Sequence, residues 1–255
     1  MTDIVVLLQW KGAMLQMRRS NQYTYESRVR YSETDLERKL TIPAIINYFQ
    51  DASTFQSESF GLGIEYCQEH KKAWFLSSWQ IVIERYPELG EPMDISTWPT
   101  GFKGMFGDRN FILEDKEGNI LAWANSLWIY MDLEKGRPTK PSKEDIAKYG
   151  STEPLEREFA PRKIEVPVDG FRVAEAVKVM KYHIDTNGHM NNCHYVSVAM
   201  EALDYVKRFT QVRVEYKKSA VYGDIILPKI AREEERTVVV LCDADGKEYA
   251  VVEFK

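Results

Sequence analysis

The sequence lacks a basic excess, a closely spaced cysteine pair and any long apolar run. With 34 Lys+Arg against 39 Asp+Glu, the formal net charge is -5, which argues against general nucleic-acid binding. The three cysteines, Cys67, Cys193 and Cys242, are odd in number and far apart, and reduced thiols in a cytoplasmic protein are the simplest interpretation. No stretch approaches the length of a membrane-spanning helix.

Signatures of bound cofactors are also missing. The chain contains no glycine-rich phosphate loop and no dinucleotide fingerprint. The spacing of His183, His189 and His194 suits no ordinary face for metal ligands. The sequence therefore predicts neither a cofactor nor a metal.

The length and composition are sufficient for two domains. The chain has 255 residues, 44% of them hydrophobic and 12% aromatic, enough for a substantial core. Residues 1–20 do not fit the strand-rich pattern that follows, and their apolar run, Ile4–Leu8, is too short for a signal peptide. We expect residues 1–20 to be a leader that is disordered or not native.

The same order of elements is predicted twice. In residues 21–133, a strand at Tyr23–Tyr31 precedes an amphipathic helix with Pro43 in its first turn, and long strand patterns follow. In residues 171–255, a strand at Val173–Tyr182 precedes a helix, and four strand patterns follow. The sequence thus predicts two domains of similar construction.

The two halves align without a gap at an offset of 150 residues, with Asp35 opposite Asp185 and Ala52 opposite Ala202. Such self-similarity predicts two related units packed as an internal pseudo-dimer. The alternative is chance register, because few residues are identical. Between the halves, residues 134–170 contain five prolines and are predicted to form a linker across the surface.

The stretch Asp185–Asn192, DTNGHMNN, carries the strongest chemical signal. Asp185, Asn187 and His189 place a carboxylate, a carboxamide and an imidazole on alternate positions, which project to one side of an extended segment. A helix pattern follows, and its first N–H groups favour developing negative charge. This combination suits the hydrolysis of an acyl group. The alternative is an Asx turn with His189 solvated in the first helical turn.

Further short motifs follow one another in a fixed order. They are Tyr31–Asp35, Trp74–Trp79 with Gln80–Pro87, Ile95–Trp98, Asp108–Phe111, Ser126–Asp132, Asp185–Asn192 with Tyr195, Val214–Lys218 and Tyr222–Asp224. In this order the chain resembles the acyl-acyl-carrier-protein thioesterases of plants and bacteria, from about Tyr25 to the C terminus. The resemblance implies an α+β fold of two tandem hotdog domains, each a long helix wrapped by a bent antiparallel sheet.

The resemblance also implies an activity, with a role in fatty acid biosynthesis. Proteins of this family hydrolyse the thioester between a fatty acyl chain and the phosphopantetheine arm of acyl carrier protein. Asp185, Asn187 and His189 match the family's catalytic Asp, Asn and His. The family commonly has Glu, followed in many plant members by Cys, where this chain has Ser219 and Ala220. A cysteine nucleophile at this point is therefore excluded, and a second carboxylate is missing.

We expect water to attack the thioester directly, with the N–H groups around Gly188–Asn191 receiving the oxyanion. Glu201, on the following helix, is a further candidate, because some related single-hotdog thioesterases use a helix carboxylate as nucleophile or base. The alternative is that Glu201 pairs with Lys207 or with a strand residue.

The acyl chain requires a dry tunnel. Aromatic side chains of the first half, Phe49, Phe55, Trp74 and Trp79, are candidates for its walls. The competing interpretation is that they are ordinary core residues, since large aromatics dominate protein cores.

The expected partner is strongly acidic, so a local basic patch should receive it despite the net negative charge. Candidate cations are Lys178 with Lys181, the pair Lys207–Arg208 and the pair Lys217–Lys218, although such runs are often only solvated. A homodimer is compatible with the fold.

Two other functions are compatible with the same fold. One is a hotdog thioesterase that acts on acyl-CoA. The other is a non-catalytic acyl-binding hotdog protein, which Ser219 in place of a carboxylate favours.

Overall fold

A computed structural model of the protein describes residues 21–204 and 208–255. The predicted leader, residues 1–20, lies outside the described residues. The described chain folds into one antiparallel sheet and two long helices that pack against it. None of the helices in these two ranges has the length and hydropathy to cross a bilayer.

The first half contains a long helix and five long strands. Their bounds are β1 Tyr23–Arg28, α1 Ile42–Ser59, α2 Ile64–His70, β2 Lys72–Ile83, β3 Pro92–Lys103, β4 Phe106–Glu114 and β5 Ile120–Asp132. Thr41 caps α1 by accepting a hydrogen bond from the N–H of Ala44, and Pro43 lies in the first turn, where its missing N–H costs nothing.

The second half repeats this plan in shorter elements. After β6 (Arg137–Pro138) and α3 (Lys143–Tyr149) come β7 Arg172–Val173, β8 Val177–Lys178, α4 Asn192–Glu201, β9 Gln211–Tyr216, β10 Ile225–Arg232, β11 Thr237–Cys242 and β12 Glu248–Phe254.

The prediction of one continuous strand over Val173–Tyr182 is wrong. Two separate two-residue strands, β7 and β8, pair with different parts of β10. Pro228 of β10 lies between the two pairings and has no N–H to donate, although its carbonyl accepts the N–H of Ala174 at 2.9 Å. The ladder is therefore interrupted at this sheet edge.

The strand order is β1-β3-β4-β5-β2-β9-β12-β11-β10-β7, with β6 added to β5 and β8 to β10. β2 and β9 pair in the middle, with Trp79 opposite Val214, so the sheets of the two halves form one surface. The helices α1 and α4 meet beside this junction, where Gln50 donates to Asn191 at 3.1 Å and accepts from Asn192 at 3.0 Å. This arrangement is the predicted internal pseudo-dimer.

The offset of 150 residues extends to single hydrogen bonds. The N–H of Asp35 donates to the carbonyl of Lys39 at 2.9 Å. In the same way, the N–H of Asp185 donates to the carbonyl of His189 at 2.8 Å. Each of these turns follows a three-residue 3-10 turn and precedes the long helix of its half. Chance register does not explain such agreement.

The segment 134–170 crosses the outer face of the sheet. Leu155 is buried there against Trp98, Ile112 and Trp123. Its N–H donates to the side chain of Asn110 on β4 at 2.9 Å. Because its backbone and an apolar side chain are both held, we infer that this segment contributes to the stability of the sheet.

His183 lies directly behind the turn that begins at Asp185. Its Nδ1 accepts the N–H of Met180 at 3.0 Å, and its carbonyl accepts the N–H of Asn191 at 2.8 Å. Burial lowers the pKa of His183. The ring of His194 lies 4.9 Å away, and burial followed by the charge of His183 lowers its pKa as well.

We predict that Leu155→Ala lowers the free energy of unfolding by about 2–5 kcal/mol, because it removes a buried side chain and leaves a cavity. Chemical denaturation measures the change. Val168→Ala is the matched control, since Val168 lies in the same segment and is fully exposed. Equal stability of both variants would show that the segment does not support the sheet.

We predict that His183→Gln reduces the loss of stability in mild acid. The folded pKa of His183 lies below the unfolded value of ~6.5, so the unfolded chain takes up the proton first. The contribution of neutral His183 to the free energy of unfolding is therefore fully present above that value. It is lost as the pH drops towards the folded pKa. The measurement is the fall in Tm between about pH 7.5 and pH 5.5. The exposed His70→Gln control should behave as the wild type, and an unchanged fall in His183→Gln would contradict the prediction.

Candidate active site

A cavity of about 510 Å³ lies between the end of α1, α2, the start of β2 and the turn at residues 186–189. Its apolar lining includes Leu62, Ile64, Ala73, Trp74, Phe75, Phe102 and Trp128. Most of the lining belongs to the first half, whereas Thr186, Asn187 and His189 belong to the second. The cavity is therefore shared between the two halves, and it has the apolar character that a ligand pocket requires.

The segment from Asp185 to His189 is a closed turn, so its prediction as an extended segment is wrong. Gly188 has φ +75°, a conformation that favours glycine. Its N–H donates to the carbonyl of Asp185 at 3.0 Å, and Oδ1 of Asp185 accepts the N–H of Asn187 at 2.8 Å. The alternative prediction of an Asx turn is thus confirmed for the backbone.

The turn brings two of the three predicted catalytic side chains to the cavity. Asn187 and His189 line it, whereas Asp185 does not. The Nδ1 atom of His189 is buried and has no hydrogen-bond partner among residues 21–204 and 208–255. The ring of His189 lies 6.0 Å from that of Phe75 in an edge-on arrangement, so the imidazole faces an apolar wall.

The carboxylate of Asp185 does not line the cavity. It is close enough to Tyr195 for its charge to act on the Tyr195 hydroxyl. Burial raises the pKa of Tyr195 to about 12, a hydrogen bond with Ala220 opposes the shift, and the charge of Asp185 adds to it. Oδ2 of Asp185 makes no hydrogen bond within the described part of the chain. This oxygen therefore has no partner among the described residues, within the same closed turn as His189.

Three of the four N–H groups predicted to receive the oxyanion are already bonded, so the prediction is wrong for them. Gly188 donates to Asp185, Met190 donates to Ala220 at 2.8 Å and Asn191 donates to His183 at 2.8 Å. Only the N–H of His189 makes no hydrogen bond to the described residues. The bond from Met190 depends on a residue thirty positions further on, which the local sequence does not reveal, whereas the other two close within residues 183–191.

Ala220 supports the turn, and its neighbour Ser219 lies at the surface. Ala220 is buried, its carbonyl accepts the N–H of Met190, and its N–H donates to the hydroxyl of Tyr195 at 2.8 Å. Ser219 is exposed, and neither residue lines the cavity.

Glu201 is the last residue of α4. Its side chain is exposed and does not line the cavity. The predicted pairing with Lys207 lies outside the described residues.

The four aromatic residues predicted to wall a tunnel occupy different places. Trp74 lines the cavity. Phe49 and Trp79 are buried and pack against Phe111, with ring centroids 5.2 and 4.9 Å away. Phe55 is 42% exposed, and its ring meets that of Tyr25 at 5.4 Å. A substrate role for the last three stays a prediction.

Sequence reasoning missed Arg109, a buried residue that lines the cavity. Its Nη1 donates to Thr97 at 3.1 Å and also to the side-chain oxygen of Gln56. No carboxylate in the described ranges forms an ion pair with it, and burial lowers its pKa to about 10. The signal was present, because Arg109 shares the inward face of β4 with Phe111, two positions further on.

Comparison with known proteins follows the division into halves. Residues 20–149 match the family model of the acyl-ACP thioesterase N-terminal domain, and residues 171–254 match that of the C-terminal domain. A chloroplastic acyl-[acyl-carrier-protein] hydrolase of Cuphea viscosissima is 26% identical over 189 residues, which cover 69% of this chain. The chain spans about half the length of this relative, 45%.

Solved structures show the same fold. An acyl-ACP thioesterase from Bacteroides thetaiotaomicron has a TM-score of 0.82 at 23% identity, covering 92% of this chain and 97% of its own. The 12:0-ACP thioesterase from Umbellularia californica has a TM-score of 0.78 at 19% identity, covering 92% and 96%. These likenesses confirm the tandem hotdog fold. Together with the two family models, which cover both halves, they establish that the chain belongs to the acyl-ACP thioesterase family.

Proposed function

We propose that the protein hydrolyses fatty acyl thioesters of acyl carrier protein to free fatty acid and carrier protein. The observation that carries this proposal is the turn at residues 186–189, whose Asn187 and His189 side chains open on a mainly apolar cavity of about 510 Å³. Such a cavity suits an acyl chain, and the two side chains suit its thioester. The names of the family models and of the relatives support the same activity.

A thioester needs little activation, because its carbonyl is electrophilic and a thiolate leaves easily. The enzyme has to orient a water molecule, remove its proton and stabilise an oxyanion. His189 accepts the proton and returns it to the leaving sulfur, because an imidazole changes charge near neutral pH. Nδ1 of His189 makes no hydrogen bond to the described residues, so no such bond has to be broken for the ring to take part.

Asp185 and Asn187 complete the arrangement. Asp185 accepts the N–H of Asn187 and so holds the turn that carries both cavity-lining side chains. The carboxamide of Asn187 donates to the substrate carbonyl or holds the imidazole. The N–H of His189 and the amide of Asn187 are donors available to the oxyanion, whereas the N–H groups of Asn187, Gly188, Met190 and Asn191 are bonded within the described part of the chain.

Direct attack by water is favoured over an acyl-enzyme. Cys67 is the cysteine that lines the cavity, and burial raises the pKa of its thiol, which disfavours the nucleophilic thiolate. The hydroxyl of Ser57 is bonded to Ser53 and Tyr149, and neither partner is a histidine or a carboxylate. Neither group has the activation that covalent catalysis requires.

We infer a cytoplasmic protein from the free thiols of Cys67, Cys193 and Cys242. The Cuphea relative is named chloroplastic, so subcellular fractionation is the test of location. A homodimer stays a prediction, which sedimentation analysis would test.

The activity is tested by incubating the protein with one series of acyl chain lengths on carrier protein and on CoA, and by measuring the fatty acid released. We expect release from the carrier protein with a higher kcat/KM than from CoA. A preference for CoA would support an acyl-CoA thioesterase. Tight binding of acyl groups without release would support a non-catalytic acyl-binding protein.

We predict that His189→Ala and Asp185→Asn each lower kcat by about 100 to 1,000-fold. Asparagine can still accept the N–H of Asn187, so Asp185→Asn tests the charge and not the turn. Glu201→Gln removes a carboxylate outside the cavity and should keep kcat close to wild type. Full activity in Asp185→Asn would contradict the water-activation scheme. Loss of activity in Glu201→Gln would show that Glu201 takes part in the reaction.

A further inference from the structure

Beside the turn, the second half carries a group of exposed apolar side chains, which we call the apolar patch. Its members and their exposed fractions are Met180 (43%), Tyr182 (74%), Val221 (44%), Tyr222 (55%) and Ile225 (42%). Apolar side chains exposed singly are common, whereas these five belong to two segments, 180–182 and 221–225, that lie side by side.

The two chain segments of the apolar patch are held together by backbone hydrogen bonds. The N–H of Val179 donates to Asp224 at 2.8 Å, and that of Gly223 donates to Val179 at 3.0 Å. The patch also adjoins the candidate active site, because the carbonyl of Ala220 accepts the N–H of Met190. A protein bound on this patch would therefore lie next to the turn that lines the cavity.

Two cations accompany the patch. Lys178 and Lys181 are exposed, and neither forms an ion pair with a residue in 21–204 or 208–255. The Nζ of Lys181 lies 5.8 Å from the ring centroid of Tyr222. Both charges are thus available to an acidic partner.

Three of the other predicted docking cations are already paired. Lys217 binds Glu248 at 2.5 Å and Lys218 binds Asp243 at 3.2 Å. Arg208 forms ion pairs with two carboxylates of the first half, at 3.0 and 2.7 Å, and Lys207 lies outside the described residues. The structure therefore favours Lys178 and Lys181 over these three.

The first half provides an internal comparison. The N–H of Val29 donates to Glu91 at 3.0 Å, and the N–H of Gly90 donates to Val29 at 2.9 Å, as Val179 does with Asp224 and Gly223. Glu91 therefore corresponds to Asp224, and Glu88, three residues earlier, corresponds to Val221. Glu88 is paired with Lys39.

The positions of Met180 and Tyr182 correspond, at the offset of 150, to Arg30 and Ser32. Arg30 is paired with Glu33, although Tyr31 and Leu89 stay exposed. The two halves share one backbone arrangement, yet only the half with the candidate catalytic turn combines five exposed apolar side chains with two unpaired lysines.

We propose that the apolar patch, with Lys178 and Lys181, is the surface on which the acidic acyl carrier protein docks. This inference rests on the proposed function. An acidic partner neutralises both lysines and covers the apolar side chains. A second copy of the chain fits less well, because a two-fold contact places the same patch on both sides and brings like charges together.

The first test is the double variant Lys178→Glu/Lys181→Glu. The same acyl group is supplied on carrier protein and on N-acetylcysteamine, a small uncharged carrier. We expect kcat/KM for the carrier-protein substrate to fall about tenfold or more at low salt, with little change for the small substrate, because charge reversal slows the association of the two proteins. Lys247→Glu is the control: it reverses one charge, where the double variant reverses two, in the β11–β12 hairpin outside the apolar patch.

A second variant, Tyr222→Ser, tests the apolar part, with the exposed Tyr31→Ser of the first half as control. We expect a higher KM for the carrier-protein substrate in Tyr222→Ser only. Unchanged kinetics in both patch variants would overturn the docking surface, as would equal losses on both substrates. A change in sedimenting mass without a change in KM would assign the patch to a second copy. A wild type that cleaves neither substrate would instead refute the proposed function.

Discussion

The pairing of β2 with β9 determines where the candidate active site lies. It joins two half-sheets into one surface and brings α1 beside α4. There Gln50 bonds the two residues that begin α4, Asn191 and Asn192. The turn of the second half thereby closes a cavity that the first half mainly lines. Neither half contains the site alone, so a separated C-terminal domain would keep its turn and lose most of its pocket.

One backbone turn is used for two purposes. In the first half, Asp35 accepts the N–H groups of Glu37 and Lys39 and is also paired with Arg208. In the second half, Asp185 accepts one N–H, and the residues that correspond to Glu37 and Lys39 face the cavity. In the first turn, Asp35 and Lys39 are both in ion pairs. In the second turn, Nδ1 of His189 has no hydrogen-bond partner among the described residues. The two turns share one backbone structure, and the candidate site lies at the turn whose side chains are not in ion pairs within residues 21–204 and 208–255.

Features set by local chemistry could be predicted from the sequence. Pro43 and the apolar period marked the start of α1, and the offset of 150 predicted the pseudo-dimer. Features set by distant neighbours could not. The strand after Val173 is interrupted by Pro228 on another strand, and the N–H of Met190 is bonded by Ala220, thirty residues further on. Within the site, the order of residues predicted that His189 is a site residue. Only the structure of the closed turn shows that Asp185 does not line the cavity.

The unsatisfied imidazole is the feature that distinguishes a site from a turn. A buried polar atom without a partner costs about 1–3 kcal/mol, and Nδ1 of His189 is such an atom. At the equivalent position of the first half, Lys39 is paired with Glu88 and bears no such cost. A purely structural turn would gain stability from a similar pairing. The second half forgoes it at the wall of an apolar cavity. This difference in partners, with the same backbone on both sides, is the reason to place the candidate site at the second turn and not at the first.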